Sequence, residues 1–174
     1  MGREIRRVPP NWEHPKYTKD NAPNKNQIGQ YIPMHDRDYE TELQEWWDER
    51  QLWKEGKHET QLRDSQRDDP VYPPGTPYED YAGTAPDPVY YRPVFTEEPT
   101  WYQVYQNVSE GTPLTPPFAT KEELVEHLYT VGDDWDGPVS KEAAEKFVES
   151  GYVPSMVVVP GRGILTGIES AVLD

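Results

Sequence analysis

Strand, helix, helix, strand is the order of elements in the last third of this chain, and it predicts an α+β fold. We expect a small antiparallel sheet packed with two or three helices, with long proline-rich loops and an extended N-terminal arm. Three observations carry that expectation. The run "TWYQVYQNV" (residues 100–108) alternates like a strand, with Trp101, Gln103 and Tyr105 on one side and Tyr102, Val104 and Gln106 on the other. Two later segments open on helix caps and close on glycine, and the apolar "YVPSMVVVPG" follows them as a buried strand. Finally, 19 prolines and a hydrophobic share of only 34% leave a small core and much loop.

A chain of 174 residues reads as a single domain, here in four parts. Residues 1–35 are built from turn formers, as in "PNWEHPKYTKDNAPNKNQIGQY", and make the basic arm, with Trp12, Tyr17 and Tyr31 available to pin it to the body. Across residues 36–57, Tyr39, Leu43, Trp46, Trp47 and Trp53 recur at helical spacing on one face, with Asp36 as N-cap and Gly56 at the end. Residues 58–99 hold eight prolines and no periodicity, so they read as a long loop, with "DPVYYRPVF" as a short strand near its close. Residues 100–174 are the compact α+β part. There "SEGTPLTPPF" turns the chain, and Thr120 with Glu123 forms a capping box for "KEELVEHLYTVG", whose buried side is Leu124, Leu128 and Val131. Ser140 caps "KEAAEKFVESG", Ala144, Phe147 and Val148 face inward, and "ILTGIESAVLD" closes as a final strand or a frayed tail.

Composition removes several classes of function. The absence of cysteine excludes disulfides, thiolate zinc sites and cysteine nucleophiles, and agrees with a reducing cytoplasm. No run approaches the roughly 18 apolar residues of a membrane span, and "MGREIRRVPPNW" has no signal-peptide core, so the expected location is intracellular, with no membrane partner. The net charge of −15 is unevenly placed: the first 25 residues carry six basic and three acidic side chains, which leaves −18 on the rest. Such a body repels phosphates and argues against direct nucleic-acid binding, while it suits a basic protein partner.

Motifs for catalysis are missing. His14, His35, His58 and His127 have no spacing that puts two on one helical face, and "PGRGILTG" lacks the pattern of a dinucleotide or phosphate loop. "VSEGT" is not a nucleophile elbow. In "GDDWDG" the carboxylates of Asp133, Asp134 and Asp136 offer hard-cation ligands but lack the rest of a calcium loop, and Trp135 reads as an anchor between helices. The expectation is therefore no catalytic residue, no metal site and no cofactor. Two binding features remain. Tyr90, Tyr91, Arg92, Trp101, Tyr102 and Tyr105, with Arg162, are candidates for a slot that stacks a base and meets a phosphate, the competing reading being that Trp101 and Tyr105 are sheet core covered by Tyr90 and Tyr91. Glu40, Glu42, Glu45, Asp48 and Glu49 are either the solvated face of the first helix or a surface for a partner.

Five stretches together carry a resemblance: "GREIRRVPPNWEHP", "YYRP" at Tyr90–Pro93, "TWYQVYQNVSEGTPLTPPFATKEELVEHL", "GDDWD" and "AAEKFVESGYVPSMVV". They resemble a widespread family of uncharacterised proteins encoded by tailed phages and prophages, over both ends and the C-terminal half of the chain. The resemblance implies a phage product acting in the cytoplasm of an infected bacterium, and brings no catalytic residues with it. With the missing chemistry, it suggests an accessory protein that binds a host factor stoichiometrically through its acidic surface and so inhibits a defence or nucleic-acid-handling protein. A sponge for a nucleotide or other small ligand is the alternative, and a virion or assembly component is another.

Overall fold

The computed structural model describes residues 2–159 and 163–173. In chain order the elements are β1 (Gly2–Val8), β2 (Met34–His35), α1 (Tyr39–Lys54), α2 (Glu59–Asp64), α3 (Tyr78–Ala82), β3 (Trp101–Asn107) and β4 (Glu110–Gly111). They continue with α4 (Lys121–Thr130), α5 (Lys141–Ser150), β5 (Tyr152–Val153), β6 (Met156–Val159) and β7 (Gly163–Thr166). Short 3-10 turns lie at Lys25–Gln27, Pro88–Tyr90 and Gly167–Leu173. The fold is α+β, with small antiparallel sheets. Its contacts divide into two compact units, Met1–His35 with Pro93–Asp174, and Asp36–Arg92.

In the first unit β1 is the middle strand of a three-stranded antiparallel sheet ordered β3–β1–β5, running in register from Gly2 opposite Asn107 to Val8 opposite Trp101. This corrects the reading of residues 1–35 as an extended arm. "GREIRRV" holds too many charges to look like a central strand, but each arginine has a partner that replaces apolar packing. Arg3 is 3% exposed and ion-paired with Asp133 and Asp136. The Arg6 guanidinium lies 4.7 Å from the Tyr105 ring centre and its Nε donates to Glu4 at 2.6 Å. Arg7 sits 4.0 Å over the Tyr102 ring and donates to the Thr100 carbonyl.

Alternation along β3 gives its two faces different cover. Val104, with Tyr102 packed beside it, meets a core in which Leu124 and Leu128 of α4, Phe147 of α5 and Ile168 are fully buried. Ile168 is delivered by the 3-10 turn Gly167–Leu173, so the segment read as a final strand or a frayed tail is a strand only over its first residues, in β7, and then an ordered turn that packs on the core. Gln103 and Tyr105 face the other way and are covered by residues 12–34, including buried His14, Tyr17 and Ile32. Cover on both faces is what the mixed apolar pattern of "TWYQVYQNV" predicts.

The capping box of α4 is present, with the Glu123 amide donating to Thr120 Oγ1 and the Glu123 carboxylate accepting from the Thr120 amide. Val131 is exposed, because α4 ends there and the chain turns through Gly132 at φ +94°. The apolar run "MVVV" is also not a buried strand. It forms β6, which among the described residues pairs with β7 alone, and Val158 is 69% exposed on this two-stranded hairpin.

The second unit is built on Trp53. Its indole N–H donates to the Thr76 carbonyl at 2.7 Å, and its ring stacks on Tyr81 at 4.9 Å and 14° while Tyr72, Tyr78 and His58 meet it at steeper angles. Helix α1 is capped by Asp38, which accepts from the Thr41 amide, so the cap is one half-turn later than Asp36. Trp47 is 49% exposed and does not share the buried face of Trp53. Residues 58–92 are more than a loop. His58 caps α2 through Nδ1, and the buried Asp64 carboxylate accepts from the Val71 and Tyr72 amides, folding the proline segment back on the helix. Around Asp87–Tyr91 the chain makes a 3-10 turn capped by Asp87 in place of the expected strand.

Candidate functional site

On the Gln103 and Tyr105 face of the first unit the covering segment leaves an open cleft of about 630 Å³. Its geometry begins with a relay of hydrogen bonds. Trp12 Nε1 donates to Tyr105 Oη at 3.1 Å, the Tyr105 hydroxyl lies 3.1 Å from His14 Nδ1, and His14 Nε2 lies 2.8 Å from the Ile32 carbonyl. A carbonyl can only accept, so Nε2 carries the proton and Nδ1 accepts from the tyrosine. That tautomer satisfies every member. Burial pushes the His14 pKa below its ordinary 6.5; the hydrogen bond to Ile32 opposes that shift, and the Arg6 charge adds to it. His14 thus ties the covering segment to β3 at the base of the cleft.

Gln103 lines the same cleft and is 3% exposed. Its Nε2 donates to the Thr115 carbonyl at 2.7 Å, which orients the amide, and its Oε1 has no hydrogen-bond partner among the described residues. Thr115 is itself fixed, accepting from the Val104 amide and donating to the Pro116 carbonyl. Asp134 reaches the rim because its backbone N–H donates to the Leu114 carbonyl at 3.0 Å. Opposite stand Trp12, Glu13 and Lys16, with the Lys16 ammonium 4.7 Å over the Tyr31 ring. A cleft of this volume, with aromatic and proline walls and few fixed polar groups, has the size and character of a small-ligand site.

The described residues expected to form a stacking slot fall in both units. Tyr90, Tyr91 and Arg92 belong to the Asp36–Arg92 unit, where Tyr91 is buried against Tyr39 and Arg92 Nε pairs with Asp36 at 2.9 Å. Trp101, Tyr102 and Tyr105 belong to β3 of the other unit, and strand alternation puts Tyr102 on the opposite face from Tyr105. Tyr105 is sheet core, as the competing reading held, while Trp101 borders a shallow cleft with Phe118 and His127. Arg162 lies outside the described residues. Of the five acids on α1, Glu42 accepts from Arg37 at 2.6 Å, Glu49 lies 2.9 Å from His58 Nε2 and Asp48 accepts from Gln44. Glu40 and Glu45 are exposed.

The carboxylates of "GDDWDG" meet a cation, but it is a side chain. Arg3 forks between Asp133 and Asp136, its Nη2 2.5 Å from Asp136 Oδ2, while its guanidinium also lies 5.1 Å from the Trp135 ring. Among the described residues no group of His, Asp and Glu side chains is arranged to hold a metal ion, and no helix is long and apolar enough to cross a membrane. Sequence reasoning missed the Trp12–Tyr105–His14 relay and the Gln103 amide. Its one usable signal was the aromatic content of residues 12–31, which is high for a free arm. Compared with protein-family models, curated proteins and solved structures, the chain matches none of them.

Proposed function

We propose that this chain is a phage-encoded accessory protein that acts by stoichiometric binding to a host protein in the cytoplasm of the infected bacterium, with the Asp36–Arg92 unit as its contact surface. The observation that carries this reading is the surface of α1. Residues 36–92 hold fifteen Asp and Glu against seven Lys and Arg, a net charge of −8. Glu40, Glu45 and Asp48 make no ion pair among the described residues, and the same helix leaves Trp47 half exposed. An exposed tryptophan on an acidic helix is the composition of a binding hot spot with electrostatic steering, and it fits a basic surface such as that of a nucleic-acid-handling or defence protein. The phage-like motifs supply the biological setting.

The test is reconstitution. A host protein recovered on the immobilised chain is purified and titrated, with sedimentation for stoichiometry and stopped flow for association. A fixed ratio, an association rate that falls steeply with salt, and loss of binding in a Glu40→Lys, Glu45→Lys, Trp47→Ala variant are expected. Absence of a stoichiometric partner at both low and physiological salt would overturn the reading.

A further inference from the structure

The shallow cleft at the Trp101 end of β3 belongs wholly to the first unit and encloses about 530 Å³. Positions 123, 126 and 127 share one face of α4, so Glu123, Glu126 and His127 make one wall, and Trp101, Pro117 and Phe118 supply flat apolar surface beside it, with the Phe118 ring 4.8 Å from that of His127. The backbone along this groove has no donor left to give. Pro116 and Pro117 have no N–H, the Phe118 amide donates to the Tyr102 carbonyl at 2.8 Å, and the Ala119 and Thr120 amides donate to the Glu123 carboxylate. A strand cannot be added to such an edge. Two polar groups remain open. The Trp101 indole N–H makes no hydrogen bond among the described residues and is not one of the buried atoms, and Glu126 is exposed with no ion pair among the described residues. The lining residues hold two carboxylates and no lysine or arginine, so the groove selects a cation.

We propose that this groove docks a proline-rich segment of a partner protein that carries an arginine or lysine, its prolines lying on Trp101, Pro117 and Phe118, one of its carbonyls accepting from the Trp101 indole and its basic side chain reaching Glu126. A polyproline II segment presents apolar ridges and unpaired carbonyls, so it uses the indole donor without asking for the backbone donors that this edge has spent. It is also preformed, so docking on a shallow surface costs little ordering entropy. An acidic segment would meet two carboxylates of its own sign, and an extended strand would leave its own carbonyls unpaired against Pro116 and Pro117.

Titration of the ¹⁵N-labelled chain with three N-acetylated amide peptides tests this. One has a run of prolines flanked by an arginine at each end, the second has glutamates in place of the arginines, and the third has glycines in place of the prolines. Saturable shifts of the Trp101 indole and of the Glu126 and His127 amides are expected with the first peptide. The glutamate peptide should bind at least about tenfold more weakly because its charges are repelled, and the glycine peptide about tenfold more weakly because it must be ordered on binding. Glu126→Lys changes an exposed side chain, so it should weaken the first peptide about fivefold with unchanged thermal stability. Trp101→Phe keeps a ring and removes the donor, and should weaken it by a similar factor. No saturation with the first peptide, equal binding of the glutamate or glycine peptide, indifference to Glu126→Lys, or shifts centred on the Trp47 indole would overturn the proposal. Charge reversal on α1 should leave the Trp101 shifts unchanged, so failure here and failure of the host-protein reading are told apart.

Discussion

Replacing Arg3 by methionine tests how a charged segment becomes the middle of a sheet. The Asp133 side chain is 0% exposed, and Arg3 is its cationic partner through Nε and Nη2. Breaking a buried pair by removing one partner costs about 3–5 kcal/mol, because a buried charge is left behind. Here the lower end applies. Asp133 Oδ1 still accepts from the Trp135 and Asp136 amides, both at 2.8 Å, and Asp136 is partly exposed and regains water. We therefore expect Arg3→Met to cost about 3 kcal/mol, a fall in urea midpoint of about 1.5 M for a slope near 2 kcal/mol/M. Adding Asp133→Asn removes the orphaned charge while keeping an oxygen for those two amides, so the double variant should be more stable than Arg3→Met alone by about 1–2 kcal/mol. Urea unfolding followed by circular dichroism and tryptophan fluorescence measures both. A loss below about 1 kcal/mol for the single variant, or no recovery in the double, would refute the argument that this pair holds β1 in place.

Acid should weaken the first unit through His14. Its folded pKa lies below the unfolded 6.5, so the unfolded state binds more protons and stability falls as pH drops below 6.5; His127, lowered chiefly by burial against the charges of Asp134 and Asp133, adds in the same direction. His14→Gln should flatten that slope, by at most about 1.4 kcal/mol per pH unit, and equal slopes in thermal melts would refute it. Gly132→Ala should cost at least about 2 kcal/mol, since its φ is +94° and a Cβ would stand 2.3 Å from the Asp136 carbonyl oxygen. Gly151→Ala, at φ +77° with nothing within 4 Å, should cost only about 1 kcal/mol, and equal losses in urea titrations would contradict the close approach. Trp53→Ala removes the ring on which Tyr72, Tyr78 and Tyr81 converge, a loss of about 3–5 kcal/mol that a unit of this size cannot bear. Amide exchange should then show α1 unprotected, and retained protection would speak against Trp53 as the centre.

What the sequence determined by itself was much of what neighbours along the chain set, though it put the α1 cap at Asp36 in place of Asp38. Alternation placed β3, the Thr120–Glu123 box and Ser140 placed α4 and α5, and Gly151 at φ +77° closes α5 where its position said it would. These are local signals, legible because the partner lies within four residues. The tertiary structure decided whatever depends on a distant partner. Arg3 is a core residue only because Asp133 stands 130 positions away. Gln103 has an unpartnered oxygen only because Thr115 takes its amide, and His14 is a fixed neutral tautomer only because Ile32 and Tyr105 flank it. In residues 58–92 the signal was absent for a related reason. That unit is held by rings around Trp53 and by Asp64 on two amides, contacts with no sequence period, while its prolines carried the only local message, that of a loop. Charge and composition are properties of the list of residues, and they pointed to a non-catalytic acidic binder. Which residues line a cleft is a property of convergence, and only folding brings Gln103, Asp134, Trp12 and Tyr31 to one place.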